Sequence, residues 1–80
     1  MKEYTLNLDS LTDLEEFVHE LISQIKSDVD GCWQHQIVDA KSFMGMVSIS
    51  THPVTVRLNS DDKEEVRIFN DICTRYSYSR

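Results

Sequence analysis

Ser42-Phe43-Met44-Gly45-Met46-Val47-Ser48-Ile49 is the segment of this chain whose conformation is hardest to assign. It is a short apolar run with an internal glycine, and its length suits either a short helix or a strand. Thr51-His52-Pro53 ends it, because proline restricts the residue before it and offers no amide. Just downstream, Val54, Val56 and Leu58 alternate with Thr55, Arg57 and Asn59, which predicts a strand with one buried face. Asn59-Ser60-Asp61-Asp62 then opens a helix: small polar side chains cap free amides, and acids suit the positive end of the dipole. That helix carries Val66, Phe69, Ile72, Cys73 and Tyr76 on one side, with Asp61-Asp62-Lys63-Glu64-Glu65 as a capped, solvated face and residues 77–80 as a frayed tail.

Upstream, Tyr4, Leu6 and Leu8 alternate with polar residues and predict a first strand, interrupted at Asp9-Ser10. Ser10-x-x-Asp13 and Thr12-x-x-Glu15 are both capping arrangements for a helix start. Leu11, Leu14, Val18, Leu21, Ile22 and Ile25 then recur at three- and four-residue steps, giving an amphipathic helix of about four turns that ends near Ser27-Asp28. Val29 to Ala40 reads as two strands rich in β-forming residues, with a turn near Gln34–Gln36 and with Trp33 read as core in preference to partly exposed.

Eighty residues suit one domain, 1–80, in which most apolar side chains must share a single core. The 40% hydrophobic content and two glycines point to a compact fold rather than a disordered chain. Four strands in one antiparallel sheet, covered on one face by helices, make an open-faced α+β sandwich. A net charge of −6 without a basic stripe argues against nucleic acid as a partner. No run approaches the ~18 apolar residues of a membrane span, and the N-terminus lacks a signal-peptide core, so a cytoplasmic protein is expected. Cys32 and Cys73 form no disulfide framework and read as buried, reduced thiols. The three histidines lack metal-ligand spacing, so neither a metal nor another cofactor is expected.

Val38-Asp39-Ala40-Lys41-Ser42-Phe43-Met44-Gly45-Met46-Val47-Ser48-Ile49 resembles the regulatory-serine segment of HPr, the small phosphocarrier of the bacterial phosphoenolpyruvate:sugar phosphotransferase system. The order of elements is also that family's, βαββαβα, with two long helices and one short one. The resemblance implies that the ambiguous run is a short helix beginning at Ser42. It further implies a phosphoacceptor histidine and a nearby arginine at the start of the first helix. Counted back from Ser42 without a gap, those positions hold Leu11 and Asp13. Leucine has no nucleophile, and Asp9, Asp13, Glu15 and Glu16 would repel a phosphate dianion. From Asp9 to Asp30 there are seven acids against one cation, Lys26, so the charge that a phosphocarrier needs is reversed.

Ser42 reads as the N-cap of the short helix and, by resemblance, as a regulatory phosphorylation site; the roles are compatible, since a helix N-terminus favours phosphate. Phe43, Met44 and Val47 read either as core or as the apolar surface that the family offers its partners, whereas Met46 and Ile49 read as core. His19 reads as a surface histidine in preference to a phosphate acceptor. No nucleophile, base and oxyanion-donor set can be assembled, so an enzyme is not expected.

The leading expectation is an HPr-like regulatory or adaptor protein of sugar transport and carbon catabolite control, similar in its lost histidine to the catabolite-repression HPr proteins. Its partners would be proteins: a catabolite regulator, an HPr-type kinase or phosphotransferase components, with the chain a monomer or weak dimer. The alternative is a protein-binding module on the same scaffold, unrelated to sugar transport.

Overall fold

The elements follow from these patterns with a few shifts of boundary. A computed structural model describes residues 2–8 and 10–76; Asp9 and the tail expected to fray, 77–80, lie outside the described residues. The chain forms β1 (Glu3–Leu6), α1 (Leu11–Gln24), β2 (Val29–Trp33), β3 (Gln36–Asp39), α2 (Phe43–Val47), β4 (Val54–Leu58) and α3 (Lys63–Thr74). The strands lie in the order β1-β4-β2-β3, every pair antiparallel. This is the open-faced α+β sandwich expected from the element order.

Strand alternation separates the two faces of the sheet. Leu6, Val29, Gly31, Val54, Val56 and Leu58 are buried beneath the helices. On the open face Arg57 stands between Glu3 and Asp30, and Cys32 stands between Thr55 and Ile37. Cys32 is therefore half-buried on that face, not the buried thiol expected, whereas Cys73 is buried and desolvation pushes its pKa up. Trp33 is also a correction: it is half-buried, and its ring stacks on His52 with centroids 3.9 Å apart and planes 2° from parallel.

The helices cross the sheet side by side. α3 lies over the β1 half, where Phe69 meets Tyr4 edge-on at 5.9 Å and the Tyr4 hydroxyl donates to Asn70 Oδ1. α2 lies over the other half, with Gly45 against Val38. A Cβ at Gly31 would stand 2.6 Å from Met46 Sδ, so the glycine leaves room for a buried methionine of α2. α1 packs between them through Leu14, Phe17, Val18 and Leu21. Phe17 belongs to this stripe although the sequence reading left it out, whereas Leu11 and Ile22 leave it and are 64% and 58% exposed.

α1 ends at Gln24, earlier than expected, without a glycine or proline to stop it. Charged side chains replace the missing helical partners. Lys41 Nζ donates to Ile25 O at 2.6 Å, while Glu65 accepts from Lys26 N at 2.7 Å, Ser27 N at 3.3 Å and Ser27 Oγ at 2.5 Å. Glu65 is thus a clamp rather than part of a solvated face, whereas Asp61 and Asp62 are exposed as expected: Asp62 caps α3 by accepting from Glu64 N, and Asp61 pairs with Lys2 at 2.6 Å.

Two predictions follow from the fold. Hydrogen bonds from Ser27 and the Lys26 amide hold the Glu65 pKa at about 2, below its ordinary 4.5. Its stabilisation is complete above about pH 4.5 and is lost as pH falls towards 2, since the unfolded chain takes up the proton first. Urea unfolding of Glu65→Gln should show a lower midpoint at neutral pH and a shallower decline between pH 4.5 and 2. Gln34, in the two-residue hairpin loop between Trp33 and Gln36, has φ 55°, a left-handed conformation that favours glycine. Gln34→Gly should stabilise by about 0.5 kcal/mol, the relieved strain outweighing the added freedom of the unfolded chain, and raise Tm by roughly 2–4 °C.

Candidate functional site

The segment from Val38 to Ile49 crosses from β3 into the helical layer, and its local bonds explain its shape. Asp39 turns the chain: its carbonyl accepts from Ser42 N at 2.9 Å and its Oδ1 accepts from Lys41 N at 2.9 Å. Ser42 then caps α2, its Oγ accepting from Gly45 N at 3.3 Å. Ser48 closes the other end, donating from Oγ to Gly45 O at 2.6 Å. The run is therefore a helix, with Met46 and Ile49 in the core as expected. Its glycine serves packing: a Cβ there would lie 3.4 Å from both Val38 Cβ and Ser42 Oγ.

Ser42 is exposed, so its hydroxyl caps a helix and remains reachable from solvent. Met44 is 76% exposed, whereas Phe43 and Val47 are half-buried and packed against the core at their edge. The two readings of this trio thus divide by residue. Met44 is surface, and its neighbours join that surface to the interior.

α1 supplies the adjoining wall. Ser10 caps it by accepting from Asp13 N at 3.5 Å, which selects one of the two capping arrangements read in the sequence. Leu11 is the first helical residue and Asp13 is half-buried within the first turn. No lysine or arginine lies between Glu3 and Ile25. One flank of α1 faces α3: Phe17 meets Tyr76 edge-on at 5.4 Å, and Glu20 accepts from Arg75 Nη2 at 2.8 Å and from the Tyr76 hydroxyl at 3.3 Å. Leu11 and Ile22 project from the opposite flank, the side of α2, since residues advance about 100° per position. Leu11 and Ile22 are eleven positions apart, close to three whole turns, and so share one azimuth. That spacing was the signal available in the sequence, hidden because both residues also fit a generous core stripe.

The histidines are not brought together. His19 is exposed and borders an open cleft of 580 Å³ with Glu15, Glu16, Glu20, Arg75 and Tyr76; His35 lies in the hairpin loop, and His52 stacks on Trp33. Among the described residues no three His, Cys, Asp or Glu side chains converge as a metal-binding group, and no helix is long and apolar enough to cross a membrane.

No protein-family model matches the chain, and no curated protein matches it significantly. Among solved structures it is similar to the crystal structure of HPr-C-His from Thermoanaerobacter tengcongensis, at 26% sequence identity and a TM-score of 0.67, over 90% of each chain. The fold is HPr-like.

The cap bond makes Ser42 a stability determinant whatever else it does. Ser42→Ala should destabilise the protein by about 1 kcal/mol, whereas Ser42→Asp, whose carboxylate also accepts from the helix amides, should retain most of the stability in urea unfolding.

Proposed function

We propose that this chain is a phosphotransferase-related regulatory or adaptor protein that acts by binding other proteins through α1 and α2. In this reading it carries no phosphate on histidine, has no enzymatic activity of its own, and works in the bacterial cytoplasm in carbon catabolite control. One observation carries it: within an HPr-like fold, an exposed serine heads α2 while leucine opens α1. Leu11 and Asp13 fall, by the ungapped count from Ser42, where a phosphocarrier of this family would hold its histidine and arginine. Leu11 offers no nitrogen to phosphorylate, and Asp13 offers no cation to hold the product. What supports Ser42 as a phosphorylation site is an accessible hydroxyl at a helix head, where a phosphate is favourably placed.

The acidity of α1 supports a second reading, a binding module on the HPr scaffold whose partner lies outside sugar transport. Incubation with an HPr-type kinase and ATP, followed by intact-mass measurement, separates the two. The regulatory reading expects a gain of one phosphate that is absent from Ser42→Ala, while phosphoenolpyruvate and the phosphotransferase enzyme that charges HPr add none. An unchanged mass beside a phosphorylated HPr control supports the second reading. Phosphoenolpyruvate-dependent label on His19 would instead restore a phosphocarrier role.

A further inference from the structure

Resting on the phosphorylation of Ser42 proposed above, we infer that charge on Ser42 is coupled to the carboxyl end of α1 through Lys41, which leaves Ile25 for the phosphate and loosens the last turn of that helix. The ammonium beside Ser42 is already in use. Lys41 Nζ donates to Ile25 O at 2.6 Å in a partly buried bond that joins the approach to α2 to the end of α1. The backbone of Lys41 is fixed next to Ser42: its amide donates to Asp39 Oδ1 at 2.9 Å, and adjacent Cα atoms stand about 3.8 Å apart. Only the flexible four-carbon stem has to swing for the ammonium to change acceptor.

The two acceptors are unequal. Ile25 O belongs to a helix end that carries about half a negative charge, shared among several carbonyls. A phosphoserine carries about −1.5 to −2 and offers three strong acceptor oxygens. Transfer of the γ-phosphoryl group of ATP to Ser42 Oγ replaces the hydroxyl proton and releases ADP, so this charge arises where a neutral hydroxyl now accepts from Gly45 N. A hydrogen bond between ionised groups is roughly twice as strong as a neutral one, which draws the ammonium to the phosphate. No Lys, Arg, Asp or Glu occurs from Ser42 to Val56, and Asp39, just upstream, adds a negative charge that increases the need for a cation. Lys26, which follows Ile25, is the competing ammonium. Departure of Lys41 leaves part of the junction intact, since Glu65 still accepts from Lys26 N and Ser27, and Ile25 remains buried. What loosens is the turn from Leu21 to Ile25, which carries the exposed Ile22. Modification at the head of α2 thereby alters the α1 part of the proposed binding face.

Phosphoserine encoded at position 42 of the ¹⁵N-labelled chain tests the coupling without a kinase, with amide hydrogen exchange as the readout. The amides of Ile22 to Ile25 should exchange about fivefold faster than in the unmodified protein, the effect of losing one hydrogen bond. Those of Lys26 and Ser27, held by Glu65, should change by less than about twofold. A nearby negative charge by itself slows hydroxide-catalysed exchange, so acceleration reports opening of the turn. Lys41→Met should produce the same acceleration without phosphate, and phosphoserine should add nothing to it, whereas Lys26→Gln should leave the response intact. Unchanged exchange in the phosphoserine protein, a response that persists in Lys41→Met, or one that requires Lys26 would overturn the coupling. Acceleration spread evenly over α1 and α3 would overturn it too, as a loss of global stability. A kinase that leaves Ser42 unmodified counts against the regulatory reading instead, and the encoded phosphoserine still decides whether the coupling exists.

Discussion

The helical layer is organised at one point, the carboxyl end of α1. Ile25 leaves its carbonyl, and Lys26 and Ser27 their amides, without partners inside the helix, and two side chains of opposite charge meet them. Lys41 arrives from the approach to α2 and Glu65 from the first turn of α3, so a local need for hydrogen bonds fixes three helices against one another. The charges suit their targets: an ammonium on the negative end of a dipole, a carboxylate on backbone donors. In a chain of 80 residues, with little core to spare, such side-chain ties between elements supplement burial.

The same arrangement makes the two ends of α1 unlike. At its carboxyl end the charges are satisfied within the molecule, and the chain there is bound to its neighbours. Towards its amino end Glu15 and Glu16 are exposed, and the first residue is an exposed leucine. In the binding role proposed above, these exposed apolar side chains are the contact area, and Met44, on a flexible unbranched stem, suits more than one complementary shape.

Much of the architecture was legible in the sequence because each long element declares its period. Alternation from Val54 to Leu58 and the capped apolar stripe of α3 each correspond to an observed element. The short α2 was not legible from periodicity, since five residues carry too little of it; the resemblance around Lys41-Ser42 supplied the answer. What escaped were tertiary effects. The end of α1 depends on Lys41 and Glu65, distant in sequence, and no local signal marks it. Leu11 and Ile22 were assigned to the core because hydrophobicity alone does not tell a buried flank from an exposed one. Trp33 was placed inside for the same reason, without a means of foreseeing His52 as its partner.

The stack of Trp33 on His52 has a bearing on how this molecule can be watched. Trp33 is the sole tryptophan, so all indole emission comes from one ring at the end of β2, against the loop that leads from α2 into β4. A parallel imidazole covers one face of that ring and shields it from water. Intrinsic fluorescence is therefore a local gauge of the α2–β4 connection: displacing that loop uncovers the indole while the rest of the core stays closed. In this chain, an optical change need not signify unfolding.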